Sequence, residues 1–222
     1  GRPENLCNAI LPRGATWNRD GVILFSANEQ LYRVGQAGGE PVAVMLSDGQ
    51  QLHRLPSFLP DGRHFLYWSG GAPSRGIYVG TLDSSESKRL MDADSSASYS
   101  PSGDLLFLRQ DILFRQAFDP KGLELKGDPV RVAEPLTSSG SQGPFSVSDN
   151  GVLAYRNGLS NSDVQLTWLD RSGKPIETVG SGGAYRGVDL WAEGKRVAGH
   201  RHDGSGGDIW VFESAHGPMP RF

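Results

Sequence analysis

Short strand-like runs separated by tight polar turns recur along the whole chain. In the stretch FLPDGRHFLYWSG, residues 58–70, an apolar pair leads into Pro60-Asp61-Gly62 and a strand-like run follows. The same arrangement surrounds five glycines, spaced 41, 41, 48 and 43 residues apart: Gly21, Gly62, Gly103, Gly151 and Gly194. An apolar residue stands four positions before each of them, namely Trp17, Phe58, Tyr99, Val147 and Leu190. Another stands three positions after each of them, namely Leu24, Phe65, Leu106, Ala154 and Val197. Because Gly accepts a positive φ and short polar residues bond turn backbones, each copy is predicted to be two strands joined by a tight turn.

Two further strands follow each of these pairs. The third strands begin at Leu31, Ile77, Leu113, Leu166 and Ile209, and the fourth read EPVAVM, SKRLM, DPVRVA, KPIETV and PMPRF. Pro stands near the start of four of the last set, at Pro41, Pro129, Pro175 and Pro218. Since Pro cannot donate to a ladder, the fourth strand is predicted to be the exposed edge of a four-stranded sheet. The apolar residues show no sustained helical period, so almost no helix is expected.

Repeats of 40–50 residues with four strands each are typical of the blades of a β-propeller. The sequence therefore predicts an all-β fold, a β-propeller of four-stranded antiparallel blades, forming part or whole of a five- to six-bladed ring. Residues 1–222 are expected to form this single domain, with blades at about 14–46, 55–91, 96–134, 144–180 and 186–222. The stretch RPENLC within residues 1–7 is predicted to be the outer strand of a preceding or closing blade.

The charge and cysteine content exclude several function classes. The chain has 22 Lys and Arg against 25 Asp and Glu, a formal charge of −3, so the basic excess of a nucleic-acid-binding protein is missing. The chain has no polybasic run, so we expect no membrane contact by this segment. No apolar run is long enough to span a bilayer. Cys7 is the single cysteine, which rules out an intrachain disulfide. Because the chain starts with Gly1-Arg2-Pro3, we expect it to be an excerpt of a longer protein.

The repeat resembles the WD40-like (PD40) repeat of TolB-type β-propellers. The clearest copies are LPDGRHFLYWSGGAPSRGIYVG and AEGKRVAGHRHDGSGGDIWVFE, whereas SPSGD and WAEG depart from the usual turn. The run from TWNRDGVILF to FLPDGRHFLYW is similar to the propeller region of some bacterial receptor-type serine/threonine protein kinases. This resemblance implies an extracytoplasmic sensor domain, in the periplasm or at the cell surface. His200-Arg201-His202-Asp203 only superficially resembles a kinase catalytic loop and no Asp-Phe-Gly occurs, so any kinase activity would belong to another part of a longer chain.

Candidate binding residues lie in the connections that vary between copies. The links from second to third strand differ in length and composition, and so do the predicted loops between blades, MLSDGQQLHRLP, MDADSSAS, AEPLTSSGSQGP and GSGGAYRG. In propellers both sets surround the mouth of the central channel. Variable loops on a rigid scaffold are where specificity usually resides. The predicted partner is an unknown protein, peptide or small ligand at this mouth. The candidate residues are His53, Arg54, Arg75, Tyr185, Arg186, His200, His202 and Asp203.

A metal site is the sharpest alternative at these positions. His200 and His202 alternate along a predicted strand, so both imidazoles could face one metal with Asp203 as a third ligand. The competing interpretation, which we favour, is a solvated hairpin end with Asp203-Gly204 in the turn. DGSGGD, residues 203–208, lacks the acidic spacing of a calcium loop. We therefore predict no metal and no cofactor.

Catalytic residues are not predicted. The sequence contains no G-x-S-x-G nucleophile elbow, and Cys7 is expected to be a small buried residue. The aromatic residues at register positions, Trp17, Tyr99, Trp168 and Trp210, are expected in the core. The favoured function is a non-catalytic ligand- or protein-binding sensor propeller, part of a larger bacterial receptor. The alternatives are a propeller hydrolase or lyase, a peptidase gating domain, or a structural segment that associates through exposed blade faces.

Overall fold

The computed structural model describes residues 5–45, 51–134, 136, 140–148, 150–155, 164–169, 174–190, 196–202 and 207–213. Every regular element in these ranges is a β-strand, as the missing helical period predicts. The described residues contain eighteen strands, which pair in antiparallel fashion, mostly with their neighbours in sequence. Consecutive antiparallel strands need only short turns, which explains the many glycines and prolines of the chain.

The first two repeats form two complete four-stranded sheets. The first contains β1 (Ala15–Trp17), β2 (Val22–Ala27), β3 (Gln30–Gly35) and β4 (Val42–Met45), paired in that order. The second contains β5 (Leu52–Phe58), β6 (His64–Gly70), β7 (Gly76–Thr81) and β8 (Ser84–Met91), again in order. Both match the predicted four-strand unit.

The third repeat follows the same plan. Its strands are β9 (Ser98–Tyr99), β10 (Asp104–Arg109), β11 (Ile112–Asp119) and β12 (Glu124–Ala133). The rest of the chain contains a separate hairpin of β13 (Phe145–Val147) and β14 (Leu153–Tyr155), followed by a four-stranded sheet. That sheet comprises β15 (Val164–Leu169), β16 (Pro175–Leu190), β17 (Arg196–His202) and β18 (Gly207–Glu213).

The long strand β16 overturns one expectation. GSGGAYRG, predicted to be a loop between two blades, lies within this strand of 16 residues. The first part of β16 pairs with β15 and its second part with β17, with a register shift between Tyr185 and Gly187. Pairing continues across a bulge in which Gly180 takes a positive φ of 64°, and Val179 and Tyr185 on either side of it are buried in the same apolar cluster. The glycines offer no side chain that would prevent this course.

The tight turns around the aligned glycines are confirmed. In four copies the glycine N–H donates to the carbonyl three residues earlier, at 3.2 Å for Gly21 and 2.9 Å for Gly62, Gly103 and Gly151. These four glycines have φ values of 79°, 71°, 88° and 83°. Gly194 lies outside the described residues. The turn chemistry read from the sequence therefore holds in each described copy, including the SPSGD variant.

The chain divides into two compact units. Unit 1 comprises residues 1–97, 118–126 and 140–142, and unit 2 comprises 98–117, 127–139 and 143–222. Unit 1 has one apolar cluster containing Leu24, Leu31, Met45, Phe65 and Tyr67, and a second with Phe25, Ala27 and Val34. Unit 2 has one cluster around Leu106, Leu113 and Phe145 and another around Leu166, Trp168 and Tyr185. Each core is formed by the alternating apolar residues of its strands.

Two predicted core aromatics are not in the core. Trp168 is buried, and Tyr99 is half-buried, but Trp17 is 61% exposed and Trp210 is 45% exposed. Trp17 is the last residue of the short strand β1, and Trp210 lies on β18 beside the exposed Ile209 and Val211. Repeat register thus predicted the strand but not the burial, because burial also requires a covering layer.

The N-terminal stretch differs from its prediction as well. Residues 5–7 form no strand, and residues 1–4 lie outside the described part. The Leu6 carbonyl accepts a hydrogen bond from the Gly39 N–H at 3.1 Å, and Cys7 packs against the Phe25 cluster. This stretch therefore lies on the first sheet without joining a ladder as an outer strand.

Candidate binding edge

The candidate residues of unit 1 lie where the strands of its two sheets end on one side. At this edge the second strand of each sheet turns into the third, and the chain enters or leaves the neighbouring sheet. We call it the loop edge; it comprises residues 28–29, 53–54, 71–75 and 92–97. The opposite edge carries the uniform turns at Gly21 and Gly62.

A two-residue turn at Asn28-Glu29 forms the first part of the loop edge. Both residues have positive φ, 48° and 62°, as a type I′ hairpin turn requires. The Glu29 carbonyl accepts a hydrogen bond from the His53 N–H at 3.0 Å, which ties the turn to β5. The same device recurs in unit 2, where Gln110 and Asp111 have φ of 51° and 59° and the Asp111 carbonyl accepts from Leu136 at 2.7 Å.

His53 is packed into the protein. It lies in β5, not in the loop predicted from MLSDGQQLHRLP, and is only 3% exposed. Its ring meets the Tyr67 ring edge-on at 5.1 Å between centroids, and its Nε2 is 3.3 Å from the Gln51 Oε1. Its carbonyl accepts the Ser26 hydroxyl at 2.6 Å. His53 is therefore a buried strand residue, and its predicted role in binding stays a prediction.

Arg54 is held by a partner that no pattern in the sequence singles out. Its Nε donates to Glu29 Oε2 at 2.5 Å and its Nη2 to Glu29 Oε1 at 2.6 Å, a bidentate pair. The two side chains are 21% and 27% exposed. The hydrogen bond to Glu29 raises the pKa of Arg54, since it stabilises the charged guanidinium. The pair locks the Asn28-Glu29 turn against β5, and Glu29 could have been found only from the three-dimensional pairing.

A second ion pair in the loop edge joins the connection between β6 and β7 to the residues that follow β8. Arg75, in the connection from β6 to β7, pairs with Asp94 after β8 at 2.9 Å. The Arg75 carbonyl also accepts a hydrogen bond from the Arg89 guanidinium at 2.8 Å, and Arg89 pairs with Asp92. Arg75 is 55% exposed, so it remains accessible while its carboxylate partner restrains it. In the two ion pairs that lie entirely within the loop edge, an Arg meets a carboxylate: Arg54 belongs to strand β5, whereas Arg75 belongs to the connection from β6 to β7.

The candidate residues of unit 2 lie on β16 and β17. Tyr185 is 1% exposed within the Leu166 cluster, and its hydroxyl donates to the Ser181 carbonyl at 2.9 Å, so it is not the loop residue that was predicted. Arg186 is the extra residue at the register shift of β16, and His200 and His202 are residues of β17. Asp203 lies outside the described residues. The His-His-Asp metal hypothesis is therefore not tested here, and within the described ranges no three His, Cys, Asp or Glu side chains group as metal ligands.

Arg201 of unit 2 is a further charged residue in this region that was not among the predicted binding residues. Its guanidinium carbon lies 5.9 Å from the centre of the Tyr185 ring and 5.5 Å from that of the Trp210 ring. Its Nη1 is 3.4 Å from the Ser181 Oγ. Only the register of β16, β17 and β18 brings these residues together. In the sequence, Arg201 lies between His200 and His202, which were the predicted candidates.

Comparison with solved structures identifies the fold. No protein-family model matches the sequence, and no curated protein matches it significantly. TolB from Acinetobacter baumannii superposes with a TM-score of 0.66 over 92% of this chain, at 18% identity. The fold is a β-propeller. A putative TolB from Agrobacterium tumefaciens superposes with a TM-score of 0.67 over 91% of the chain, at 17% identity.

An enzyme shares the propeller fold to the same extent. XC5397 from Xanthomonas campestris, a gluconolactonase, superposes with a TM-score of 0.67 over 91% of the chain, at 14% identity. The chain spans 54% of the A. baumannii TolB, 76% of the A. tumefaciens protein and 71% of XC5397. None of the described residues belongs to a helix long and apolar enough to cross a membrane. Propellers of this kind therefore occur in TolB proteins and in an enzyme.

Proposed function

We propose that this propeller is a non-catalytic binding module that recognises a protein, peptide or small ligand at its loop edge. The observation that carries the proposal is the restraint of the charged side chains there. Arg54 is fixed by Glu29 at 2.5 Å, and Arg75 is held by Asp94 at 2.9 Å while more than half exposed. Side chains held in place before binding lose less conformational entropy when a partner docks.

The setting that we propose follows from the resemblance of the repeats. The likeness to TolB proteins and to the propeller regions of receptor-type serine/threonine kinases supports an extracytoplasmic sensor within a longer chain. In such a receptor a partner at the loop edge would change the propeller's contacts, and a domain elsewhere in the chain would transmit the signal. The kinase link rests on the sequence resemblance alone.

A displayed peptide library tests the binding function. The purified chain is immobilised, peptides are selected, and their affinities are measured by fluorescence anisotropy. Arg75→Glu is expected to weaken the selected peptides by about tenfold, because it reverses an exposed charge in the loop edge. Arg63→Glu is the matched control, since Arg63 is an exposed Arg beside the Asp61-Gly62 turn at the opposite edge. Failure to enrich any peptide, or equal weakening by both variants, would contradict the proposal.

An enzymatic function is the second candidate, supported by the likeness to the gluconolactonase XC5397. It predicts turnover of sugar lactones by the purified chain, with and without added divalent cations. Lactone hydrolysis above the spontaneous rate that is lost on denaturation would replace the binding proposal with this one. Equal rates with and without the protein would remove the lactonase version.

A further inference from the structure

We propose that Arg201, framed by Tyr185 and Trp210, forms a binding site for a carboxylate group. The site is argued from contacts within unit 2 alone, and it adds to the proposed binding function a second site with a defined ligand chemistry. Arg201 lies on β17, opposite Tyr185 of β16 on one side and Asp208 of β18 on the other.

Two aromatic rings hold the guanidinium in place. Its carbon is 5.9 Å from the centre of the buried Tyr185 ring and 5.5 Å from the centre of the Trp210 ring. The rings are themselves fixed, since Phe212 stacks on Trp210 at 6.3 Å and meets Tyr185 edge-on at 6.0 Å. A ring face attracts a cation and leaves the N–H groups at the guanidinium edge available for hydrogen bonds.

Two glycines create the space for this arrangement. A Cβ at Gly183 would come within 2.6 Å of the Arg201 Nε, and a Cβ at Gly199 would lie 3.3 Å from the Tyr185 ring. Gly183 belongs to the neighbouring strand β16 and Gly199 to β17 itself, so there is no side chain at the two positions beside the guanidinium and the Tyr185 ring. The Arg side chain can therefore lie along the sheet instead of extending into solvent.

The Arg201 guanidinium keeps hydrogen-bonding capacity that Arg196 uses in an ion pair. Arg196, on the same strand, pairs with its cross-strand partner Glu213 at 2.7 Å. Arg201 is directly opposite Asp208 in the same register, yet within the part of unit 2 that the structure describes no carboxylate lies at ion-pairing distance from it. Its one described hydrogen bond is the 3.4 Å contact with Ser181. The Arg201 guanidinium lies against the Tyr185 and Trp210 rings and not against Asp208, the carboxylate residue directly opposite it in the strand register.

A carboxylate fits this environment better than other groups. The guanidinium is a planar fork of donors that matches the two oxygens of a carboxylate, and the pairing is charge-assisted. Trp210 is 45% exposed, so its free surface would cover the apolar part of a ligand beside the carboxylate. The glutamate side chains of an acidic peptide carry a carboxylate on a short, flexible apolar stem. Inorganic phosphate shares the charge but offers no apolar surface to the ring.

Titration with hexaglutamate tests the proposal. Isothermal calorimetry measures the affinity, and the indole N–H resonances of the protein report whether a Trp environment changes. The expected result is binding of hexaglutamate, no binding of hexaglutamine, and a shift of one indole resonance that Trp210→Phe removes. Arg201→Gln is expected to weaken binding by about tenfold or more, and Arg201→Lys to do nearly the same because Lys lacks the bidentate fork.

Arg196→Gln is the matched control, since it removes one positive charge from the same strand. Equal loss of affinity in Arg196→Gln and Arg201→Gln would overturn the proposal in favour of general attraction between charges. Competition by inorganic phosphate at or below the hexaglutamate concentration would also overturn it, as would the absence of any binding. Thermal melts of each variant establish that the folded protein is being compared. The library selection at the loop edge uses different residues, so either result can fail without the other.

Discussion

Glycine at the hairpin turns is required by backbone conformation, even where space is plentiful. Gly103 has φ of 88°, and a Cβ there would meet no atom within 4 Å. Gly35, at the end of β3, also has open space around it but does not have a positive φ. The two positions therefore separate the effect of conformation from the effect of crowding.

Replacing these two glycines by alanine should have opposite consequences. Gly103→Ala is expected to lower the free energy of unfolding by about 1–2 kcal/mol, the cost of a left-handed conformation for an L-residue. Gly35→Ala should change it by less than about 0.5 kcal/mol or raise it slightly, because alanine restricts the unfolded chain. Urea titration of both variants measures the difference. Equal losses would show that the turn does not hold the conformation described.

The exposed tryptophans give a second test at this scale. Trp17 is 61% exposed, while Trp168 is 3% exposed within the unit 2 core. Acrylamide quenching of the fluorescence should therefore lose an accessible contribution in Trp17→Phe and part of the protected contribution in Trp168→Phe, with the buried Trp68 keeping the rest of the protected part. A protected component that disappears with Trp17 would restore the original prediction of a core role for that residue.

Repeat register explains why some residues were predicted correctly and others were not. The aligned positions identified Leu24, Phe65 and Leu106 as core residues, and all three are buried. The same alignment placed Trp17 and Trp210 in the core, where they are not. Register fixes which face of a strand a side chain occupies, but burial depends on whether another layer covers that face, and the sequence of one sheet does not contain this information.

At the scale of elements, the bidentate pair between Glu29 and Arg54 connects a turn of the first sheet to a strand of the second. Its side chains are 21% and 27% exposed, whereas those of the Arg33–Asp83 pair are 37% and 61% exposed. Partial burial and two parallel hydrogen bonds make an ion pair more valuable than a single contact in solvent.

Double-mutant cycles with alanine should rank these two pairs. The coupling free energy is expected to be about 1 kcal/mol for Glu29–Arg54 and below about 0.5 kcal/mol for Arg33–Asp83. The exposed pair is also expected to weaken more in high salt, since solvent ions screen it. A coupling near zero for Glu29–Arg54 would show that the pair does not lock the turn, and the restraint argued for the loop edge would fail.

The misplacement of His53 and Arg54 has a local physical cause. HRLPS does not alternate and contains Pro56, which favours a connection over a strand. The strand accommodates the proline through a register shift between Arg54 and Ser57, where Leu55 takes a positive φ of 52°. Leu55 also donates from its N–H to the Arg13 carbonyl at 2.8 Å. A bulge of this kind needs a partner across the ladder, so a single strand's sequence could not predict it.

At the scale of the whole molecule, the stability of the fold should depend on alkaline pH through Tyr67. Burial raises the pKa of the Tyr67 phenol to about 12, with the nearby Tyr78 adding to the effect and a hydrogen bond with Ser87 opposing it. A phenol in the unfolded chain has a pKa near 10. The folded protein thus favours the neutral form, and this contribution is complete below about pH 10 and lost as the pH rises to about 12.

Tyr67→Phe tests this dependence. Between about pH 10 and pH 12 the wild type is expected to lose about 2–3 kcal/mol of stability more than the variant, which has no phenol to ionise at this position. The tyrosinate absorbance of the folded wild type should show one group titrating late, and the variant should lack it. Parallel stability curves for both proteins over this range would place the Tyr67 hydroxyl in contact with solvent.

The fold class could be predicted from the sequence because its signals are local and repeated. A turn glycine, a polar residue before it and alternating apolar residues recur in each copy, and the first three sheets follow them closely. The functional residues depend on contacts between sheets and strands, as the Glu29–Arg54 and Arg201–Trp210 contacts show. The sequence contains the residues of such a site but does not show the strand register that brings them into contact.

The continuous course of β16 has a practical consequence for anyone who divides this protein for expression. Residues 175–190 form a single strand, with shifts of register along it, that two ladders share. A truncation, fusion junction or affinity tag placed between Gly180 and Tyr185 would strip a hydrogen-bonding partner from β15 and from β17 at once. A boundary in the connection after Met91 cuts no ladder of the described strands, and a fragment that keeps unit 1 whole must also retain residues 118–126 and 140–142.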